Sequence, residues 1–401
     1  MFQTFTGIQY LKIDIANNYG LDKLKWDERI QWFDDNEANL ANLIDTAKEP
    51  ALFYAGIKAY YDALKGVPIG YMISLDATAS GLQILAALTG DTSAASLCNV
   101  IDTGDREDAY TVVYEEMCRR IGEASKIAQP DVKQAIMTSL YGSTAMPKQV
   151  FGEGELLTVF YQTMEDLAPG AWELNDAFLN MWDPEALINE WVLPDNFHVK
   201  VKVMAPCTDV VNFLNEPFEV HYKKNAPVEQ GRSLAANATH SVDGMIVREV
   251  SRRCDYNQRV VDILRRIVDD PKACGRSTVT KDDRMVITLW EHFENTGYLS
   301  ARIMDHLNPG NLGHVRTETI RDLLDSLPSK PFKVPSVHDC FRVLPHYGND
   351  LRRQYNLQLE LIAKSDLLNS LISQLIGRPV NIGKVNPNLH LQISDANYAL
   401  S

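Results

Sequence analysis

Two aspartates sit in surroundings unlike those of ordinary surface carboxylates. Asp76 closes the apolar run Tyr71-Met-Ile-Ser-Leu, and the small residues Ala77, Thr78, Ala79 and Gly81 follow it. A helical pattern then resumes through Leu82, Leu85, Ala86 and Leu88 and stops at Gly90. This reads as strand, turn, helix, with room beside the carboxylate. Asp339 follows His338 between two short apolar stretches, 334–337 and 340–344, which predicts a hairpin holding the acid near its bend. Each acid also has an ordinary reading, Asp76 as a turn former or helix cap and Asp339 as a hairpin-turn residue. Convergence separates the readings, and it would have to span 339 − 76 = 263 residues of chain. Two converging aspartates could hold two divalent metals about 3.5–4 Å apart, activating a hydroxyl and stabilising charge on a transferring phosphoryl group.

A third candidate is the helix predicted from about Asp131 to Tyr141, with Pro130 at its start and Gly142-Ser143 stopping it. Lys133 and Tyr141 are 141 − 133 = 8 residues apart, hence about 12 Å along the axis and within about 80° around it. A cation and a phenol so placed suit the triphosphate and the sugar of one nucleotide.

The elements that must position these groups are mostly helical. Residues 1–70 read as helices with short loops, one stripe from Trp26 to Ala47 carrying Ile30, Phe33, Leu40, Leu43 and Ile44, and Gly66-Val-Pro68-Ile-Gly70 turns into the Asp76 strand. Asp91 to Ala124 and 150–190 also read as helical. His198–Val203 and Phe218–Tyr222 alternate apolar with polar residues, which predicts a pair of half-buried strands with cations on one face. Asn237 opens a further helix, 255–330 is a mixed helical block, and Asp350 to about Gly377 carries the last helices. Asn237 also begins a formal glycosylation sequon, discounted without a secretory signal.

The chain of 401 residues is long enough for two or three domains, and 45% hydrophobic with 23% charged residues excludes disordered and fibrous classes. No basic leader with an apolar core and no membrane-length apolar run is present, so a cytoplasmic protein is expected, with no membrane partner. Six scattered cysteines without a Cys-x-x-Cys pair argue for reduced thiols rather than disulfides or zinc. A net charge of −14 speaks against a nucleic-acid binder on average. Local doublets such as Arg119-Arg120, Lys223-Lys224 and Arg252-Arg253 could still line a cleft.

Taken in order, these segments resemble the single-subunit RNA polymerases of phages and mitochondria, within the right-hand polymerase superfamily. Residues 76–83 (DATASGLQ) resemble motif A, 133–142 motif B, and His338-Asp339 motif C, while 236–244 (ANATHSVDG) resemble the segment joining fingers to palm. The resemblance implies an α+β fold: a palm with an antiparallel sheet and helices, plus largely helical fingers. The implied division is palm 1–92, fingers 93–240, a return to palm 241–254, a block of unassigned role 255–330, and palm again 331–401. It implies that Asp76 and Asp339 carry two Mg2+ ions, with the Ala77 backbone carbonyl as a further ligand. Lys133 would hold the incoming triphosphate and Tyr141 would sense the ribose, with Gly142 beside it. His240 would lie by the new base pair's minor groove, and His338 would support Asp339. DNA template, nascent RNA and ribonucleoside triphosphates are the implied partners.

Departures from the family pattern carry further expectations. The arginine expected four residues before the motif B lysine is Gln129, so another cation, Lys126 or Lys148, is expected to serve the phosphates. The stretch after Tyr141 is shorter and lacks an aromatic, and the 255–330 block is longer than in compact family members. With no amino-terminal domain, thumb or Asp-or-Thr-x-x-Gly-Arg motif in view, the chain resembles the larger chain of the two-chain polymerases of N-four-type phages. A smaller protein is then expected to supply the missing parts. A family A DNA polymerase is the runner-up. Such enzymes place a glutamate five residues after the motif A aspartate, where this chain has Gly81, and an acid after the motif C aspartate, where it has Cys340. A non-catalytic nucleic-acid-binding scaffold is the third reading.

Overall fold

The computed structural model describes residues 1–122, 127–229, 231, 233–270 and 281–401. Its strands are β1 (Ile73–Asp76), β2 (Ile188–Val192), β3 (His198–Lys202), β4 (Met204–Phe213), β5 (Glu216–Asn225), β6 (Ser336–Val337) and β7 (Cys340–Val343). They form one three-stranded sheet, in the order β1-β7-β6, and two hairpins, β2-β3 and β4-β5. The small sheet is antiparallel and pairs Asp76 with Cys340, the residue after Asp339. Alternation decides its facing: Ile73, Leu75, Phe341 and Val343 are buried, while Asp76 ends the strand at the solvent side.

Behind the sheet lies the Ser80–Thr89 helix, every residue of which is buried. It is apolar all round because helices cover its several sides, among them Pro169–Asn180, Ser233–Cys254 and Gly348–Lys364. Its left-handed Gly90 ends it as the sequence predicts.

Other expectations are corrected. The segment expected as helical from 91 to 124 contains two helices, Thr92–Leu97 and Ala109–Ile121, with 123 and 124 outside the described residues. Asn99 breaks it by adopting φ 63° and bonding both the N–H and the carbonyl of Glu107, and Asp108 caps the second helix. The 150–190 helical region ends in strand β2. The helix expected to open at Asn237 begins at Ser233 and runs unbroken through position 240 to Cys254. The two stretches expected as strands, 198–203 and 218–222, fall in separate hairpins, each strand pairing with its sequence neighbour. Leu214 and Asn215, at φ 52° and 66°, make the two-residue turn that closes β4 on β5. β5 is exposed along its whole length rather than half-buried.

Most buried apolar residues form one continuous core around the Ser80–Thr89 helix. A second core serves the 255–330 block, where Val261, Leu264, Val286, Leu289, Ile320 and Leu323 meet. A buried ionic network ties this block to the Ser233–Cys254 helix. The fully buried Glu249 accepts from Ser300 Oγ at 2.5 Å, the Ala301 N–H at 2.7 Å and Arg252 at 2.6 Å. Asp195, also buried, binds Arg248 and Arg252. Among the described residues, no helix is long and apolar enough to cross a membrane.

Candidate active site

Strand β1 carries Asp76 into the site and is held there from three directions. Its inner edge pairs with β7, and the Ala77 N–H donates to the Asp339 carbonyl at 3.3 Å. Its outer edge meets the end of the chain, where Asp76 and Ser401 exchange backbone bonds of 3.2 and 2.9 Å. From below, buried Asp14 accepts from the Ser74 N–H at 2.8 Å and from the Tyr71 hydroxyl at 2.6 Å. The turn after Asp76 is fixed by Gln83. Its buried amide donates to the carbonyls of Cys98 and Ala399, both at 2.9 Å, and accepts from Tyr355. Asp339 sits in the two-residue turn between β6 and β7, where His338 adopts φ 53°.

Around these acids, a cavity of about 420 Å³ is lined by Asp76, Ala77, Gly81, Lys133, Tyr141, His240, Asp243, His338 and Asp339. Every motif A, B and C residue expected in the chemistry therefore faces one space, except Gly142 and Gln129. The helix expected to reach Tyr141 spans Gln129–Ser139, so Tyr141 stands in the turn after it, and Gly142, at φ 79°, closes that turn and lines a separate cavity with Ser139 and Trp172. Gln129 turns to the neighbouring helix, its amide donating to Thr111 Oγ1 at 2.8 Å. Of the two substitute cations, Lys148 is exposed and paired with Glu153 at 2.9 Å, and Lys126 lies outside the described residues.

The Gly81 position differs from its sequence reading. A Cβ there would lie 2.9 Å from the Tyr141 hydroxyl, so the missing side chain admits this phenol rather than leaving the space empty. Tyr141 is fixed in turn by a hydrogen bond with the Ser80 side chain and by stacking on His240, with ring centroids 4.4 Å apart and planes 3° apart. Burial, then the nearby His338, lower the His240 pKa, which keeps its ring neutral.

Electrostatically the site is short of positive charge. Burial and then the charge of Asp339 push the Asp76 pKa up to about 6. Asp243 is pushed up to about 6 by the same two causes. Repelling carboxylates with a neighbouring carbonyl form an oxygen-only donor set suited to a hard divalent cation. Among the described residues, no group of three or more His, Cys, Asp or Glu converges on a metal position. Phosphate and water would thus complete the coordination of any ion held here. Among the residues lining this cavity Lys133 carries the ammonium, which lies 5.1 Å from the ring centre of Tyr110.

Asp243 has no role in the sequence reading, though its signal was there: it stands three residues after His240, on the same helical face. Ser401 had no local signal, because only tertiary pairing brings the chain's end to Asp76.

Part of the chain is similar in sequence to known proteins. Residues 4–159 match the sequence model of the DNA-dependent RNA polymerase family. A probable DNA-directed RNA polymerase of Neurospora crassa is 32% identical, over 34% of this chain and 18% of its own length. The DNA-directed RNA polymerase of Pseudomonas phage phiKMV is 29% identical, over 27% of this chain and 15% of its own. That of Enterobacteria phage K11 is 28% identical, over 28% and 14%. The chain thus matches less than a fifth of the length of each of these three relatives. The match holds motifs A and B, whereas His240 and Asp339 lie beyond it.

Proposed function

We propose that this chain forms the catalytic centre of a DNA-directed RNA polymerase of the phage and mitochondrial single-subunit type. It would add ribonucleotides to an RNA 3′ end on a DNA template. The observation that carries the reading is the pairing of β1 with β7, which joins Asp76 to Asp339 across 263 residues at the cavity holding Lys133 and Tyr141. The similarity of residues 4–159 to DNA-dependent RNA polymerases supports it independently, since Asp339 lies outside that stretch.

In this reading Asp76, Asp339 and the Ala77 carbonyl hold two Mg2+ ions, which when bound would activate the 3′-hydroxyl and neutralise the phosphates. The protein's own groups do the positioning. In this proposal Lys133 binds the triphosphate and gives a proton to departing pyrophosphate. Tyr141, wedged at Gly81 and stacked on His240, presents a rigid phenol edge to the sugar of the incoming nucleotide. His338 and the β6-β7 turn hold Asp339 in place. The likeness to the larger chain of two-chain N-four-type polymerases, with a smaller partner bearing the Asp-or-Thr-x-x-Gly-Arg motif, belongs to this proposal. Identifying what co-purifies with the chain tests that part.

The catalytic reading is tested by template-directed extension of an RNA primer with Mg2+, using the chain together with any protein that co-purifies. Asp339→Asn is expected to lower incorporation by ~100-fold or more while template binding persists. Incorporation that survives the substitution would leave only a nucleic-acid-binding role.

A further inference from the structure

In the polymerase reading, Gln129 stands where the resemblance expects an arginine for the phosphates, and it bonds Thr111 instead. Lys133 lines two adjoining cavities: the one holding Tyr141 and His240, and a second of about 340 Å³ that also reaches Asp76, Ala77 and Tyr110. In the first, the groups that would meet a sugar and base surround Lys133. The second holds charges of both signs, acids such as Asp22, Glu49 and Asp108 among them, and Arg106 lies in its wall.

Several features distinguish Arg106 from the other cations there. Lys23 is tied to Asp108 at 2.5 Å, and Lys48 approaches Asp22 at 3.7 Å. Arg106 is half-buried and, among the described residues, makes one side-chain hydrogen bond, to Ser401 Oγ at 3.4 Å, and no ion pair within 4 Å. Asp22 and Asp108 act on it only at longer range. A guanidinium has five N–H donors in a planar fork that matches phosphate oxygens. Most of these donors lack a protein partner, in a partly desolvated wall where an unmatched charge is costly. The irregular segment 98–108 holds the residue there, and the Asn99 bonds to Glu107 fix the adjoining backbone.

We infer that Arg106 is a polyphosphate-binding residue, which with Lys133 grips the triphosphate of the incoming nucleotide and the pyrophosphate product, in place of the arginine absent at position 129. The inference rests on the polymerase reading of the Asp76 site and adds a residue outside motifs A, B and C. Binding of a polyphosphate would also explain why an arginine is kept in this wall with so few protein partners.

The test compares wild type, Arg106→Ala and Arg106→Lys in binding inorganic tripolyphosphate and pyrophosphate with Mg2+, by calorimetry. Losing a charge-assisted contact is expected to weaken both by roughly 10- to 100-fold in Arg106→Ala, with partial recovery in Arg106→Lys, which keeps charge but not the fork. Adding Gln129→Arg to Arg106→Ala should restore part of the affinity. In primer extension the loss should fall mainly on KM for the nucleotide, and in the reverse reaction on KM for pyrophosphate, which separates substrate from product contacts. Unchanged polyphosphate binding in a folded Arg106→Ala protein overturns the inference while leaving the polymerase reading intact. Failure of the wild type to bind either polyphosphate, or loss of stability with no change in either KM, overturns it as well. The first of these outcomes would count against the polymerase reading too.

Discussion

Replacing Gly81 with alanine puts a methyl carbon 2.9 Å from the Tyr141 hydroxyl and 3.1 Å from its Cζ. In an unobstructed helix the change would stabilise by about 1 kcal/mol. Here overpacking, which costs about 1–3 kcal/mol, opposes that gain. The phenol cannot retreat freely, because it stacks on His240 at 4.4 Å and bonds the Ser80 side chain. Folding stability should therefore fall by only about 1 kcal/mol, while the Tyr141 ring is driven off its His240 platform and nucleotide incorporation drops by ~10-fold or more. Tyr141→Phe removes the closest atom and leaves the contact at 3.1 Å, so the two substitutions should couple. The assay is a double-mutant cycle on kcat/KM for ribo- and deoxyribonucleotides, with thermal unfolding of the same four proteins. In the Tyr141→Phe background, Gly81→Ala should cost at least ~1 kcal/mol less than in wild type. Additive effects, within about 0.5 kcal/mol, would refute the proposed wedge.

Two further substitutions test the scaffold. Burial raises the Asp14 pKa from 3.8 to about 6, so the folded state holds its proton more tightly than the unfolded state, and this residue's contribution to stability falls as pH rises from about 4 to 6. Relative to wild type, Asp14→Asn should thus gain up to about 3 kcal/mol between pH 4 and pH 7. Guanidinium unfolding at the two pH values checks this, and a pH-independent difference refutes it. Glu249→Ala removes the buried acceptor shared by Ser300 and the Ala301 N–H, while half-buried Arg252 keeps its pairing with Asp195. Two buried donors left unsatisfied should cost about 2–6 kcal/mol, with hydrogen exchange rising first in residues 297–327. Uniform exchange across both cores would show that the network does not join them.

Local chemistry was legible in the chain. A two-residue turn between short apolar runs announced the Asp339 hairpin, and Pro130 marked the start of the helix carrying Lys133, although that helix ends at Ser139 and leaves Tyr141 in the turn before Gly142. Gly122 ended its helix in the left-handed conformation that only glycine adopts cheaply. These signals are readable because caps, turns and helical spacing depend on residues a few positions apart. One local signal went unread, the Leu214-Asn215 turn that joins β4 to β5.

Tertiary structure alone decided the rest. Asp76 and Asp339 meet through backbone bonds between segments 263 residues apart, and no spacing within either segment encodes that register. Filling of the Gly81 gap by Tyr141, the bonds from Ser401 to Asp76 and the separate core of the 255–330 block arise the same way. Sequence by itself determined which residues could do the chemistry, because residue type and local conformation are written position by position. Which of them share a cavity, and how tightly, was decided by packing, because burial and long-range pairing belong to the folded chain as a whole.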